Sequence, residues 1–155
     1  MKIIYHCFGG SHSSVLAASL HLKLIDKERL PSKCELIALP FFDKTNNDDF
    51  GAIRLMGNDE FGNQVFVMGK KSMGNRYATM LEGVAEILGG RDQLLMVNCM
   101  NRVNWFMKLG GFTSRRIGAV SIGRPILEKG TVDAFFKLVN LVEITRLKAM
   151  AGAGL

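Results

Sequence analysis

The residues best suited to chemistry in this chain lie together in YHCFGGSHSS, residues 5–14. Cys7 is a nucleophile when ionised, and a helix start beside it favours the thiolate through its amides and its dipole. His12 can move a proton or donate to an anion. Gly9 and Gly10 permit positive φ and a close backbone approach. Ser11, Ser13 and Ser14 add hydroxyl donors, and Phe8 lies among them. A loop of this make-up ahead of a helix suits a phosphate or another oxyanion. A plainer reading stands beside it: the glycines make a tight turn, the serines cap the helix, and Cys7 is an inert strand thiol. His6 and Cys7 alternate along a strand and face opposite sides, which disfavours a metal shared between them.

Other strand ends carry cations. Lys70 follows a third apolar run, Arg102 a fourth and Arg124 a fifth. In a parallel sheet these ends converge on the edge that holds Gly9 and Gly10, and one of them can supply a charge-assisted contact to the anion. GKKSMGNR (69–76) is not a phosphate-binding Walker loop, because Lys71 stands where the hydroxyl residue belongs. Asp43, Asp48 and Asp49 suit a metal, a sugar hydroxyl or simple loop solvation.

These residues need a scaffold of alternating strands and helices. Apolar, β-branched runs predict strands at 2–7, 34–40, 63–69, 92–99 and 116–123. Helical spacing predicts helices over 13–26, with Ser13 or Ser14 as cap, over 74–90, over 101–111 and over 131–150. Residues 41–57 read as irregular, and 151–155 as a frayed tail after a single domain, 1–150. Strands that are apolar throughout are buried on both faces, and their alternation with helices implies a parallel sheet. The expected fold is α/β, an αβα sandwich with a mostly parallel sheet of about five strands. The first strand is expected inside it, between the second and third. Ligands bind such sheets beyond the carboxyl ends of the strands. The last helix is apolar over much of its surface (Phe135, Phe136, Leu138, Val139, Leu141, Val142, Ile144), which suits a homodimer interface.

A chain of 155 residues with 48% hydrophobic and 22% charged residues is a globular composition. No apolar run is long enough to span a membrane, and no signal peptide is evident, so the expected location is cytoplasmic. Cys7, Cys34 and Cys99 form no CxxC pair and are expected as thiols, with Cys34 and Cys99 as packing residues. A net charge of +6 favours anionic partners, but no dense Lys/Arg run accompanies it, which argues against nucleic acid.

CFGGSHSS resembles the phosphate loops of IIB-type sugar phosphotransferase subunits and of low-molecular-weight tyrosine phosphatases. In the first pattern, C-x-x-G-x-[ST]-x-S, the cysteine falls on Cys7, the glycine on Gly10 and the last serine on Ser14, while His12 replaces the middle hydroxyl residue. In the second, C-x5-R-[ST], Ser13 stands at the arginine that clamps phosphate, and the Asp-Pro acid motif is absent. The whole chain resembles a family of short proteins from spore-forming bacteria, a domain of unknown function whose members begin Y-[HN]-C-[FY]-G-G-x-H-S-S. That pattern runs here from Tyr5 to Ser14. The phosphate-loop resemblance implies a bound phosphorylated small molecule or nucleotide, with Cys7 and His12 as candidate catalytic residues. Phe8, Gly9, Gly10, Ser11, Ser13, Ser14, Lys70, Arg102 and Arg124 are the candidate ligand contacts. Two other classes remain open: a non-catalytic anion-binding regulatory module, and a thiol-based redox or sulfur-transfer protein.

Overall fold

The computed structural model describes residues 1–46, 48–100 and 124–152. Its centre is strand β1 (Lys2–Cys7), in which every residue after Lys2 is buried. Strands β3 (Gln64–Gly69) and β4 (Leu94–Asn98) flank β1, both parallel to it. Strand β2 (Ile53–Asn58) runs antiparallel to β3, and the order is β2-β3-β1-β4. The α/β class holds. The sheet, however, is mixed and has four strands among the described residues, where a mostly parallel sheet of about five was expected.

Two local misreadings account for the difference. Residues 34–40, expected as the second strand, begin as helix α2 (Lys33–Ala38). Ser32 and Glu35 form a reciprocal capping box: Glu35 N–H donates to Ser32 Oγ at 3.3 Å, and Ser32 N–H donates to Glu35 Oε2 at 2.8 Å. That satisfies first-turn donors which a strand would not present. Residues 41–57, expected as irregular, contain the start of β2. The hairpin from β2 to β3 turns through Asp59–Asn63, with Gly62 at φ +78°. Ile53 and Leu55 on this outer strand are exposed, so β2 lacks the continuous burial that marks the inner strands. The expected neighbour of β1 at 34–40 is therefore replaced by β4. The expected helix 101–111 and strand 116–123 lie outside the described residues.

Helix α1 (Ser13–His21) and the long C-terminal helix α4 (Arg124–Gly152) cover one sheet face. Ile3, Tyr5, Cys7, Val65, Val67, Val97 and Cys99 point into this layer, where they meet Val15, Ala18, Phe135, Leu138 and Val142. Full burial of each large apolar side chain contributes roughly 1.5–3 kcal/mol. Helix α4 starts earlier than the expected 131, and Pro125 in its first turn suits that start, where a missing N–H costs nothing. Phe136, Ile144, Leu147 and Met150 are exposed on α4, on the side away from the core at helical spacing. Helix α3 (Arg76–Ile87) lies over the other sheet face, above a cleft of about 350 Å³ lined by Lys2, Ile4, Phe66, Leu81, Val84 and Leu88 among others. Among the described residues, no helix is long and apolar enough to cross a membrane.

A buried polar chain ties β1, α1 and the hairpin together. Tyr5 Oη lies 2.8 Å from His21 Nδ1, and His21 Nε2 lies 3.1 Å from Asp59 Oδ2. An ionised carboxylate only accepts, so Nε2 carries the proton and Nδ1 accepts from Tyr5. Asp59 also accepts from the Asn63 side chain and from the amides of Phe61 and Asn63. Arg146 of α4 donates to the His21 carbonyl at 2.7 Å and pairs with Glu60. Burial pushes the Tyr5 hydroxyl pKa up and the His21 pKa down, so the chain is neutral apart from Asp59.

Candidate functional site

β1 ends at Cys7, and the chain then folds back over its own sulfur. Gly10 N–H donates to Cys7 Sγ at 3.1 Å, and Ser14 Oγ lies 3.1 Å from the same atom. Cys7 is only 5% exposed. Burial alone would raise its pKa. The hydroxyls of Ser14 and Ser13 and the amides of Ser14 and Gly10 outweigh burial and hold the thiol below its ordinary value. The serines therefore do not cap the helix as expected. His12 occupies the N-cap position and makes no side-chain cap bond, while Ser14 turns inward to the sulfur.

The glycines have a packing reason. Gly10 sits at φ +69°, and a Cβ there would lie 2.5 Å from the amide nitrogen of Gly69 at the end of β3. A Cβ on Gly69 would in turn lie 2.7 Å from the Gly9 carbonyl oxygen. Two backbones cross in direct contact, which only glycine allows. The crossing is bonded on both sides: Lys70 N–H donates to the Cys7 carbonyl at 3.0 Å, and Lys71 N–H to the Phe8 carbonyl at 2.9 Å.

Arg54 of β2 braces the loop from outside. Its Nη2 donates to the Gly10 carbonyl at 2.8 Å and to Thr45 Oγ1 at 3.0 Å, and its guanidinium lies over Phe41, 4.6 Å from the ring centroid. Sequence reading missed Arg54 because the strand that carries it was read as irregular. A basic residue within an alternating run ahead of an Asn-Asp turn was the available signal.

His12 stands on the rim, with Nε2 3.2 Å from Asp43 Oδ1 and its ring edge-on to Phe42. Ser11 is buried, and its hydroxyl lies 3.3 Å from His12 Nδ1. The Asp43 amide donates to the Ser11 carbonyl at 3.1 Å. Asp43 is thus an orienting partner for His12, a role that was not assigned to it from sequence. Phe8 is half exposed and packs edge-on against Phe50, over which Lys71 Nζ is placed 4.1 Å from the centroid.

The expected cations fare differently. Lys70 is buried at the end of β3, and its ammonium charge interacts with the Cys7 and Cys99 thiols. Burial lowers its pKa, and the thiols oppose that shift. Arg102 lies outside the described residues. Arg124 is the first residue of α4, where a loop after a fifth strand was expected. Cys34, expected to pack, is exposed on α2, because a helix surface replaces the anticipated buried strand.

The sequence model of a family described as a protein of unknown function, DUF3189, matches residues 2–147. The chain belongs to this family. No curated protein and no solved structure matches it. The matched span covers the whole β1–α1 loop, the Gly10–Gly69 crossing and the buried Tyr5–His21–Asp59 chain, so the site described above lies within the family domain.

His6, on the sheet face opposite Cys7, makes the site acid-sensitive. It is 2% exposed, and its Nδ1 has no hydrogen-bond partner. Burial and then the Lys70 charge push its pKa down to about 4. The unfolded state therefore binds the proton first as pH falls below about 6.5, and stability is lost from there down through the folded value. The expected cost is on the order of 3 kcal/mol by pH 4. Urea melts between pH 7 and pH 4 should show this loss, and His6→Leu should flatten the profile in that window. An unchanged slope in His6→Leu would assign the acid sensitivity to other groups.

Proposed function

We propose that the β1–α1 loop binds a phosphorylated small molecule or nucleotide and that Cys7 attacks its phosphorus. The observation that carries this reading is the sulfur at the centre of the loop's donors, held by the Gly10 amide and the Ser14 hydroxyl. Donors that stabilise a thiolate also suit a phosphoryl oxygen arriving beside it. Lys70 supplies a positive charge at the neighbouring strand end, in place of the arginine that Ser13 does not provide. In the proposed step the thiolate forms an S–P bond and the P–O bond to the leaving group breaks. His12, oriented by Asp43, gives its proton to the leaving oxygen. Water then attacks the phosphothiol, loses a proton to His12 and restores the thiolate. The half-exposed Phe8 and Phe50 rings offer an apolar rim for the rest of the ligand. A cytoplasmic location fits the same proposal, because thiols persist in a reducing compartment.

The test is thermal stabilisation followed by turnover. Inorganic phosphate, a sugar phosphate and a nucleotide should raise the melting temperature saturably. At 100 times Kd the gain is about 2.7 kcal/mol. Ser14→Ala should weaken this response, and Cys7→Ser should abolish release of phosphate from an aryl phosphate. Stabilisation without turnover in the unmodified protein would leave the non-catalytic anion-binding module. An equal shift from chloride at matched ionic strength would remove the anion site altogether.

A further inference from the structure

Cys7 has a second thiol beside it. β1 and β4 are parallel and in register up to His6 opposite Asn98. The ladder closes one step further, where Cys99 N–H donates to the His6 carbonyl at 2.9 Å. The next residue on β1 is Cys7, and it falls level with Cys99. Side chains alternate along both strands, so Cys7 follows Ile3 and Tyr5, and Cys99 follows Val97, into the same layer beneath α1. Adjacent strands lie about 4.8 Å apart, inside the roughly 4.4–6.8 Å between Cα atoms that a disulfide spans. Cys99 stands just past the end of β4, where the ladder no longer holds its carbonyl side.

The surroundings divide the work between the two sulfurs. Cys7 is reached by the Gly10 amide and the Ser14 hydroxyl, whereas Cys99 is fully buried. Lys70, 4% exposed, follows β3 on the side of β1 away from β4, and both thiols act on its charge. A buried ammonium is costly without an anion, and a Cys7 thiolate supplies one. Burial pushes the Cys99 thiol up, while the loop donors hold Cys7 down.

We propose that Cys7 and Cys99 form a reversible dithiol–disulfide couple across the ends of β1 and β4, oxidised by a low-molecular-weight disulfide. The Cys7 thiolate attacks one sulfur of that disulfide, an S–S bond forms, and one small thiolate leaves. Cys99 then gives up its proton and attacks the Cys7 sulfur. The second small thiolate leaves and takes that proton. The protein is oxidised by two electrons and the small disulfide is reduced to one thiolate and one thiol, so charge and atoms balance. The bridge removes the nucleophile from the loop and leaves Lys70 without its thiolate. Oxidation therefore switches off any chemistry that depends on Cys7.

The probe is oxidised glutathione, applied to the full chain carrying Cys34→Ser so that the exposed thiol contributes nothing. After acid quench and alkylation, the expected product is a monomer lighter by two hydrogens, with Cys7 and Cys99 in one cross-linked peptide and no retained glutathione. Dithiothreitol should restore both thiols. Cys99→Ala should stop at the glutathione adduct on Cys7, and Cys7→Ala should leave Cys99 unmodified. A stable adduct on Cys7 with Cys99 free in the Cys34→Ser protein would overturn the proposal, and so would two unreacted thiols. Both outcomes are read without either buried-cysteine variant. Phosphate stabilisation is measured on reduced protein, so that reading and this one can fail independently.

Discussion

Gly10→Ala should lower the melting temperature by about 10 °C or more, one of the two largest single effects expected here. The added Cβ meets the backbone of Gly69 at 2.5 Å, and no side-chain rotation can relieve a contact between two main chains. The left-handed conformation at φ +69° adds a further roughly 1–2 kcal/mol for any residue with a Cβ. Together with the cost of overpacking, the loss is about 3–5 kcal/mol. Gly9→Ala is the matched control, because its Cβ would meet only the Ser11 hydroxyl, at 3.4 Å. It should melt within a few degrees of the unmodified protein. Equal melting temperatures for the two variants would mean that the backbones do not cross as described. Gly10 is for the same reason a poor position at which to test ligand binding: its Cβ direction points at β3, and a substitution would disturb the fold first.

Asp59→Ala should cost nearly as much. The Asp59 carboxylate is 1% exposed and accepts from His21 Nε2, Asn63 Nδ2 and two amides. Those bonds hold its pKa below the ordinary carboxylate value even though burial pushes it up. Removing it strands several donors at once, and the expected loss is about 3–5 kcal/mol. The loss should be accompanied by faster hydrogen exchange at the amides of Phe61 and Asn63. His21→Leu in the Asp59→Ala background should cost much less than His21→Leu alone, since the pair then no longer exists. Strict additivity of the two changes would show that His21 and Asp59 act separately.

The parts of the site that were legible in the sequence are those that follow from position on β1. Cys7, Gly10, Ser14 and Lys70 lie near strand ends, and a buried first strand places them on one edge of the sheet. The misread parts trace to residues 34–57. The run CELIAL has the length and apolarity of a strand, and its helical fate is decided by Ser32 and Glu35. β2 was obscured because an outer strand keeps Ile53 and Leu55 in solvent and so shows no uniform burial. Arg54 and Asp43 come from that stretch, and the brace on Gly10 and the partner of His12 were lost with it. The Cys7–Cys99 pairing was out of reach for another reason. It depends on β4, rather than residues 34–40, being the second neighbour of β1.

The place of β1 in the sheet also orders events as the chain is made. β1 leaves the ribosome ahead of the other described elements, yet its two ladders need Gln64–Gly69 and Leu94–Asn98, and α4, which covers its core face along with α1, follows all of them. Such distant pairings slow folding, because chain closure must precede the contacts that reward it. Through most of synthesis β1 therefore waits with two open edges, and Cys7 waits without the layer that buries it. The nascent chain holds a solvent-accessible thiol that the finished fold withdraws.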